Sequence, residues 1–368
     1  MDVQEVRYLG FHSSGTALYQ AIVTYADEAR TQIIEAKEVV NSAINSSGNA
    51  GHVEITTYRR AEIADDASIE GDKDGAITFI GALDIQTIDT NLADFDRRGN
   101  ALKQTVTRDY FGDDGLTIIG SETQSITNDP FNIHDRTTRS VILNYEGKGD
   151  TKIFTDAQEI SYLQYDRYGN SERQTIDTYS TADMAPDSLA SHKAIENNYG
   201  AADDTITVLL SDGTTTSKSA IYARKKGNPL SSTVTEYTSK TESSDTLVSR
   251  TVSATSLFDY RGNAIDQQSD RFVANSSGEL TLVTRTVMHN GNIDSRGDAH
   301  SQEITTSTTD ITGANLEETD YQVITSRSFD ARHNVLNQVI SHYDEKAGEL
   351  MDVQEVRYLG FHSSGTAL

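Results

Sequence analysis

The stretch QEISYLQYDRYGNSERQTIDTY at 158–179 reads as one β-hairpin. Its centre, YDRYGN, is a turn with a mechanism. The Asp166 carboxylate can accept backbone amides two residues on, Gly169 takes the positive φ that hairpin loops demand, and Asn170 tolerates left-handed geometry. QEISYLQY before the turn alternates as a strand does. After it, Gln174 and Ile176 stand five and seven places beyond Gly169 and share one face, while Tyr179 at the tenth place falls on the other unless a bulge intervenes.

The same core recurs as FDRRGN at 95–100 (Asp96, Gly99, Asn100), FDYRGN at 258–263 (Asp259, Gly262, Asn263), IDSRGD at 293–298 (Asp294, Gly297) and FDARHN at 329–334 (Asp330). Weaker copies are INSSGN at 44–49, HDRTTR at 134–139 and ARKKGN at 223–228. FHSSGT at 11–16 returns at 361–366, with His12 and His362 in the place of Asp. Aligned on glycine, the copies fall at 15, 48, 99, 138, 169, 227, 262, 297, 333 and 365. The fifth place is glutamine in six modules: Gln20, Gln104, Gln174, Gln267, Gln302 and Gln338. Most side-chain hydrogen bonds go to backbone or water, which favours local partners for these amides over a ladder running between modules.

A longer period encloses the short one. MDVQEVRYLGFHSSGTAL at 1–18 is repeated letter for letter at 351–368, so nine hairpin modules fill a 350-residue period and 351–368 opens the next. On this reading Met1 is an internal position of the repeat. The whole of 1–368 is then one continuous array with no domain boundary. Two long gaps predict insertions. One holds PDSLASHKAIENNYG at 186–200, which reads as a short helix ended by Gly200; the other holds the acidic stretch around Glu70, Asp72 and Asp74. Residues 26–40 have good helix propensity, but the repeat register favours strand there.

The expected fold is all-β: a continuous strip of hairpins wound into an open tube or fibre. Composition agrees, with 17 tyrosines, 25 glycines and only 3 prolines in 368 residues. A net charge of −25 disfavours nucleic acid and anionic membrane surfaces as partners. The chain has no cysteine, hence no disulfide, thiolate–zinc site or thiol nucleophile. No stretch approaches the about 18 apolar residues of a membrane span.

YDRYGN, FDRRGN and FDYRGN, each followed by a strand at roughly 35-residue spacing, resemble the YD repeats of bacterial RHS proteins and teneurins. The resemblance covers nearly the whole chain. It implies hairpins winding as a continuous strip into a hollow shell, secreted, toxin-enclosing or held on a cell surface. The sequence lacks the self-cleavage motif and toxin segment of a closed RHS shell.

The remaining candidates are weak. Glu70, Asp72 and Asp74 could ligate Ca²⁺, but a solvated acidic loop fits better because the twelve-residue calcium loop is incomplete. FGDDGL at 111–116 and GAADDT at 200–205 read likewise. The nine histidines show no metal spacing, and no nucleophile elbow is present. The expectation is therefore a non-enzymatic, cofactor-free extracellular or cell-surface structural filament, whose partners are other copies of the repeat. An adhesin or stalk binding cell-surface glycans through exposed tyrosines, and a fragment of a toxin-enclosing shell, are the alternatives.

Overall fold

The computed structural model describes residues 3–25, 30, 33–63, 77–294, 296–331, 333–346 and 348–358. Within them the hairpins appear in sequence order. β1 (Val3–Phe11) and β2 (Ala17–Tyr25) flank the first turn, β3 (Ile33–Ile44) and β4 (Ala50–Ile63) the second, and β5 (Ile77–Asp89) and β6 (Lys103–Phe111) the third. β7 (Ile118–Asn128) with β8 (Arg139–Glu146) and β9 (Ile153–Tyr165) with β10 (Ser171–Tyr179) follow. After β11 (Leu189–Asn198) the chain makes a detour through β12 (Thr205–Leu209), β13 (Thr215–Ser219) and the helix α1 (Ile221–Lys226). It resumes with β14 (Ser231–Tyr237), β15 (Leu247–Asp259), β16 (Ala264–Ala274), β17 (Leu280–Ile293), β18 (Ala299–Thr308), β19 (Glu317–Phe329), β20 (Val335–Tyr343) and β21 (Leu350–Arg357).

Outside the detour each strand pairs antiparallel with the next, β11 passing directly to β14, while the β12–β13 hairpin joins the sheet through a parallel pairing of β12 with β15. One 21-stranded sheet results. Among the described residues β1 pairs only with β2 and β21 only with β20, so the strip is open at both ends.

Register repeats exactly along the strip. The fifth residue after a turn faces a residue on the next strand, which in turn faces the seventh residue of the following module. The triples are Gln20–Val39–Ile55, Val53–Ile88–Val106, Gln104–Ile126–Ile142 and Ser140–Ile160–Ile176. They continue as Gln174–Ile195–Val234, Ser232–Ser253–Ser269, Gln267–Met288–Ile304 and Gln302–Ile324–Ile340. Branched aliphatic side chains thus meet across strands, the pairing that stabilises sheets. Where serine replaces them, Ser253 and Ser269 share a hydrogen bond of 3.2 Å.

A second device repeats at the opposite edge. Just before the tenth-place residue the register steps by one, at Tyr25, Tyr58, Tyr145, Tyr179, Tyr237, Phe272, Ser307 and Tyr343. The extra residue lies on the incoming strand: Leu83 opposite Thr57 and Tyr58, Ala190 opposite Thr178 and Tyr179. The bulge bends the partner strand and leaves the tyrosine-bearing strand regular. Tyrosine therefore stays on the even face, where Val23, Tyr25, Ala36 and Ala61 form one buried cluster.

Two expectations need correction, and a third holds. Residues 186–200 are not a helix: Pro186–Ser188 is a single 3-10 turn and Leu189–Asn198 is β11. The His192 imidazole bonded to Asp177, and the pairing of this segment with β10, hold it extended. The inserted unit is instead 199–230, where α1 and the β12–β13 hairpin bury Ile206, Val208, Ala220 and Ala223 against Phe258. The copy at 134–139 is also three residues out of place. The turn runs from Asn132 to Arg136, and Asp135 at φ 59° takes the glycine's role. Residues 33–44 form a strand, as the register argued against their helix propensity.

The strip also curls. Ala331, in the turn before β20, packs with Leu83 of β5 and Tyr110 of β6. A cavity of about 190 Å³ at this return is lined by Lys37, Tyr58, Arg108 and Arg296 among others. Because Val23 is fully buried, Val23→Ala should lower stability by about 2 kcal/mol. Leu116→Ala, at a side chain 82% exposed, should change it by less than about 0.5 kcal/mol. Urea denaturation followed by tyrosine fluorescence separates the two.

Candidate functional site

The most developed side-chain chemistry lies along one edge, where every second connection is a DxxGN-type turn. Asp96 Oδ1 accepts the amides of Arg98 (2.8 Å) and Asn100 (2.9 Å), and Oδ2 accepts the Asn100 carboxamide (3.0 Å). Asp166 and Asn170 repeat this geometry. Asp259, nearly buried, accepts the amides of Arg261, Gly262 and Asn263 as well as the Asn263 carboxamide. Asp294 binds the amides of Arg296 and Asp298, and Asp330 binds Asn334 twice. Asn45 and Asn132 do the same work with a neutral oxygen, and His12 Nδ1 faces the Ser14 amide at 3.2 Å.

The glycine place has φ near +90°, as at Gly99 (+91°), where a Cβ would sit 2.8 Å from Asn49 Oδ1. Gly169, Gly262 and Gly297 share the conformation. In the turn before β20 His333 stands there at φ 66°, inside the left-handed region that larger residues can reach. Gly227 holds the same place differently: it caps α1, its amide returning to Ala223 and Arg224. A helix end thus substitutes for a hairpin turn.

These turns touch one another. Thr16 Oγ1 donates to the Gly48 carbonyl (2.8 Å), Arg98 to Asn132 (2.7 Å) and Arg136 to Asp166 (2.6 Å). Asn170 donates to Arg224 (2.7 Å), Asn228 to Gly262 (2.6 Å), Arg261 to Ile293 (2.8 Å) and Arg296 to Asp330 (2.9 Å). The row is a chain of charged, amide or hydroxyl side chains capping the carbonyls of the next turn. The sequence carried an overlooked signal: the residue before the glycine is basic at Arg98, Lys226, Arg261 and Arg296. Each reaches a backbone carbonyl of the following turn, Lys226 those of Tyr260 and Arg261.

The six glutamines are brought onto one half-buried line, but among the described residues no bond joins two of them. Gln302 donates to Asn290 Oδ1 (2.6 Å) and Gln267 to Thr255 Oγ1 (3.4 Å), both on the adjoining strand. The tyrosines point at neighbouring carboxylates, Tyr25 at Glu5 and Tyr321 at Glu303. Burial first, then Glu5, pushes the Tyr25 phenol up to about 12.

Glu70, Asp72 and Asp74 lie outside the described residues. Among those described, no three His, Asp or Glu side chains converge as a metal site. The other acidic turns use their carboxylates locally: Asp114 binds the amides of Leu116 and Thr117, and Asp204 that of Ala201. Together the fold and the turn row define the chain as an open strip of carboxylate-capped hairpins. No family model matches the chain, and no curated protein matches it.

Asp259→Ala strips several amides of their acceptor at a nearly buried site and should cost about 2 kcal/mol. Asp259→Asn keeps an acceptor oxygen, as at Asn45, and should recover most of that loss in the same urea titration. Acid acts on the exposed caps. The Asn100 carboxamide holds the Asp96 carboxyl below its usual value, while bonds from Thr117 and Thr312 hold Asp114 and Asp310 at about 2. A depressed carboxyl stabilises the fold fully above its unfolded value of 3.8 and loses that contribution as pH falls through its folded value. The Leu116 and Thr312 amide resonances should therefore titrate with midpoints near 2; midpoints near 4 would contradict the capping.

Proposed function

We propose that the chain is a length of a structural filament or tube, a YD-repeat-like strip built from tandem 350-residue periods, working outside the cell or on its surface and without catalysis. The observation that carries this reading is the open, unvarying register. All eight interior triples share one register, most neighbouring turns are linked by a side chain, and among the described residues β1 and β21 each pair on one edge only. Stacks whose stability comes from nearest neighbours extend until something caps them. The charge of −25 keeps such a strip soluble and makes lateral clumping unfavourable. A glycan-binding role would rely on exposed tyrosines; Tyr25 and Tyr179 are buried, and Tyr8 and Tyr168 are the exposed ones among the described residues. Partners on the filament reading are other copies of the repeat. Electron microscopy of the native protein should show rods or tubes of constant width. Isolated compact particles at all concentrations would overturn the filament.

A further inference from the structure

The two copies of the duplicated segment occupy the same slot in the strip, seen from its two sides. Residues 353–357 of β21 pair with β20, placing Val356 opposite Gln338 and Glu355 opposite Val339. The identical residues 3–7 of β1 pair with β2, placing Val6 opposite Ile22 and Glu5 opposite Val23. Val6 and Val356 are the same position of the repeat. Laying one on the other gives Gln338–Val6–Ile22, the fifth-place, centre, seventh-place triple found at every interior position of the sheet. The two half-pairings need not have agreed, because a slip of one residue would have put the side chains on opposite faces.

Burial shows what the slot lacks. At β1 Val3 packs against the cluster of Val23, Tyr25 and Ala36. The same valine in β21, Val353, is 54% exposed, and seven of the eight residues of β21 are exposed. Among the described residues β21 has β20 as its single partner, and a strand paired on one side is disposed to fray.

We propose that the edge of β20 accepts residues 3–7 of a second copy of this chain in place of its own 353–357, in the register Gln338–Val6, so that copies join head to tail. The incoming β1 brings its own β2 and the buried cluster behind it, which β21 alone does not supply. The contact is heterologous and does not close on itself, so it propagates. This rests on the filament reading and adds the seam to it.

The chain has no cysteine, so engineered pairs report unambiguously. Directly opposed residues bring their Cβ atoms within about 4.5–5.5 Å, close to disulfide range. Chains carrying Val6→Cys, mixed with chains carrying Gln338→Cys and oxidised, should give a covalent dimer linked between those positions. Val6→Cys with Val339→Cys, whose side chain faces the other way, should give none. A single chain carrying both Gln338→Cys and Val356→Cys should close internally, which establishes that the variant folds with its slot intact. Internal closure without any 6–338 dimer overturns the proposal, as do equal yields from the two mixtures; failure of internal closure overturns the register itself. Rods in the microscope without the 6–338 link would leave the filament standing and remove strand sharing. The link in particles that never grow into rods would do the reverse.

Discussion

The fixed cross-strand register is the constraint on which this structure depends. A meander of hairpins has no second sheet of its own against which every strand could be checked, so each strand can be positioned only by its two neighbours. Placing a β-branched side chain opposite another in six of the eight triples, with Ser253–Ser269 and Met288–Ile304 in the other two, makes a one-residue slip costly along the strip. The bulge on the return edge acts with that register. It recurs at one place in eight of the nine modules and two residues further on, at Phe111, in the β6–β7 pair, so the local bends add along the strip, and the turn before β20 comes round to meet β5 and β6.

The turn row supplies the second level of order. Neighbouring turns on one edge are separated by two strand spacings, about 10 Å, too far for backbone contact and right for an arginine or asparagine side chain. Basic groups before the glycine therefore become connectors, even in a strongly acidic chain. Their targets are mainly carbonyl oxygens, which do not titrate. The connections consequently persist at pH values where surface ion pairs between side chains come and go.

Much of this was legible in the sequence. The alternation around YDRYGN, the DxxGN capping chemistry and the odd-offset face of Gln174 and Ile176 are local properties, and local physics determines them. What escaped was set by tertiary partners. Residues 189–198 carry helical propensity, yet β10 and β14 on either side hold them extended. The turn at 132–136 has aspartate where glycine is expected, so a composition-based alignment slid to the wrong triplet. ARKKGN looked like a degraded turn because the same end point, Gly227 followed by Asn228, is reached from a helix. The arginine connectors repeat visibly, but their role needs the distance between turns, which no single hairpin contains.

The chain enters the strip at one end and leaves at the other, with every strand lying across the path between them. Tension applied along that path does not shear a whole sheet at once. It opens the ladder at the outermost strand, then the next, each release freeing one strand and half a turn contact before the neighbour is loaded. A strip so built yields in small, equal steps and re-forms by the same steps, because each strand returns to an edge whose register is already written. It would behave as a ductile element, lengthening under load where a stacked sandwich of the same composition would hold and then fail.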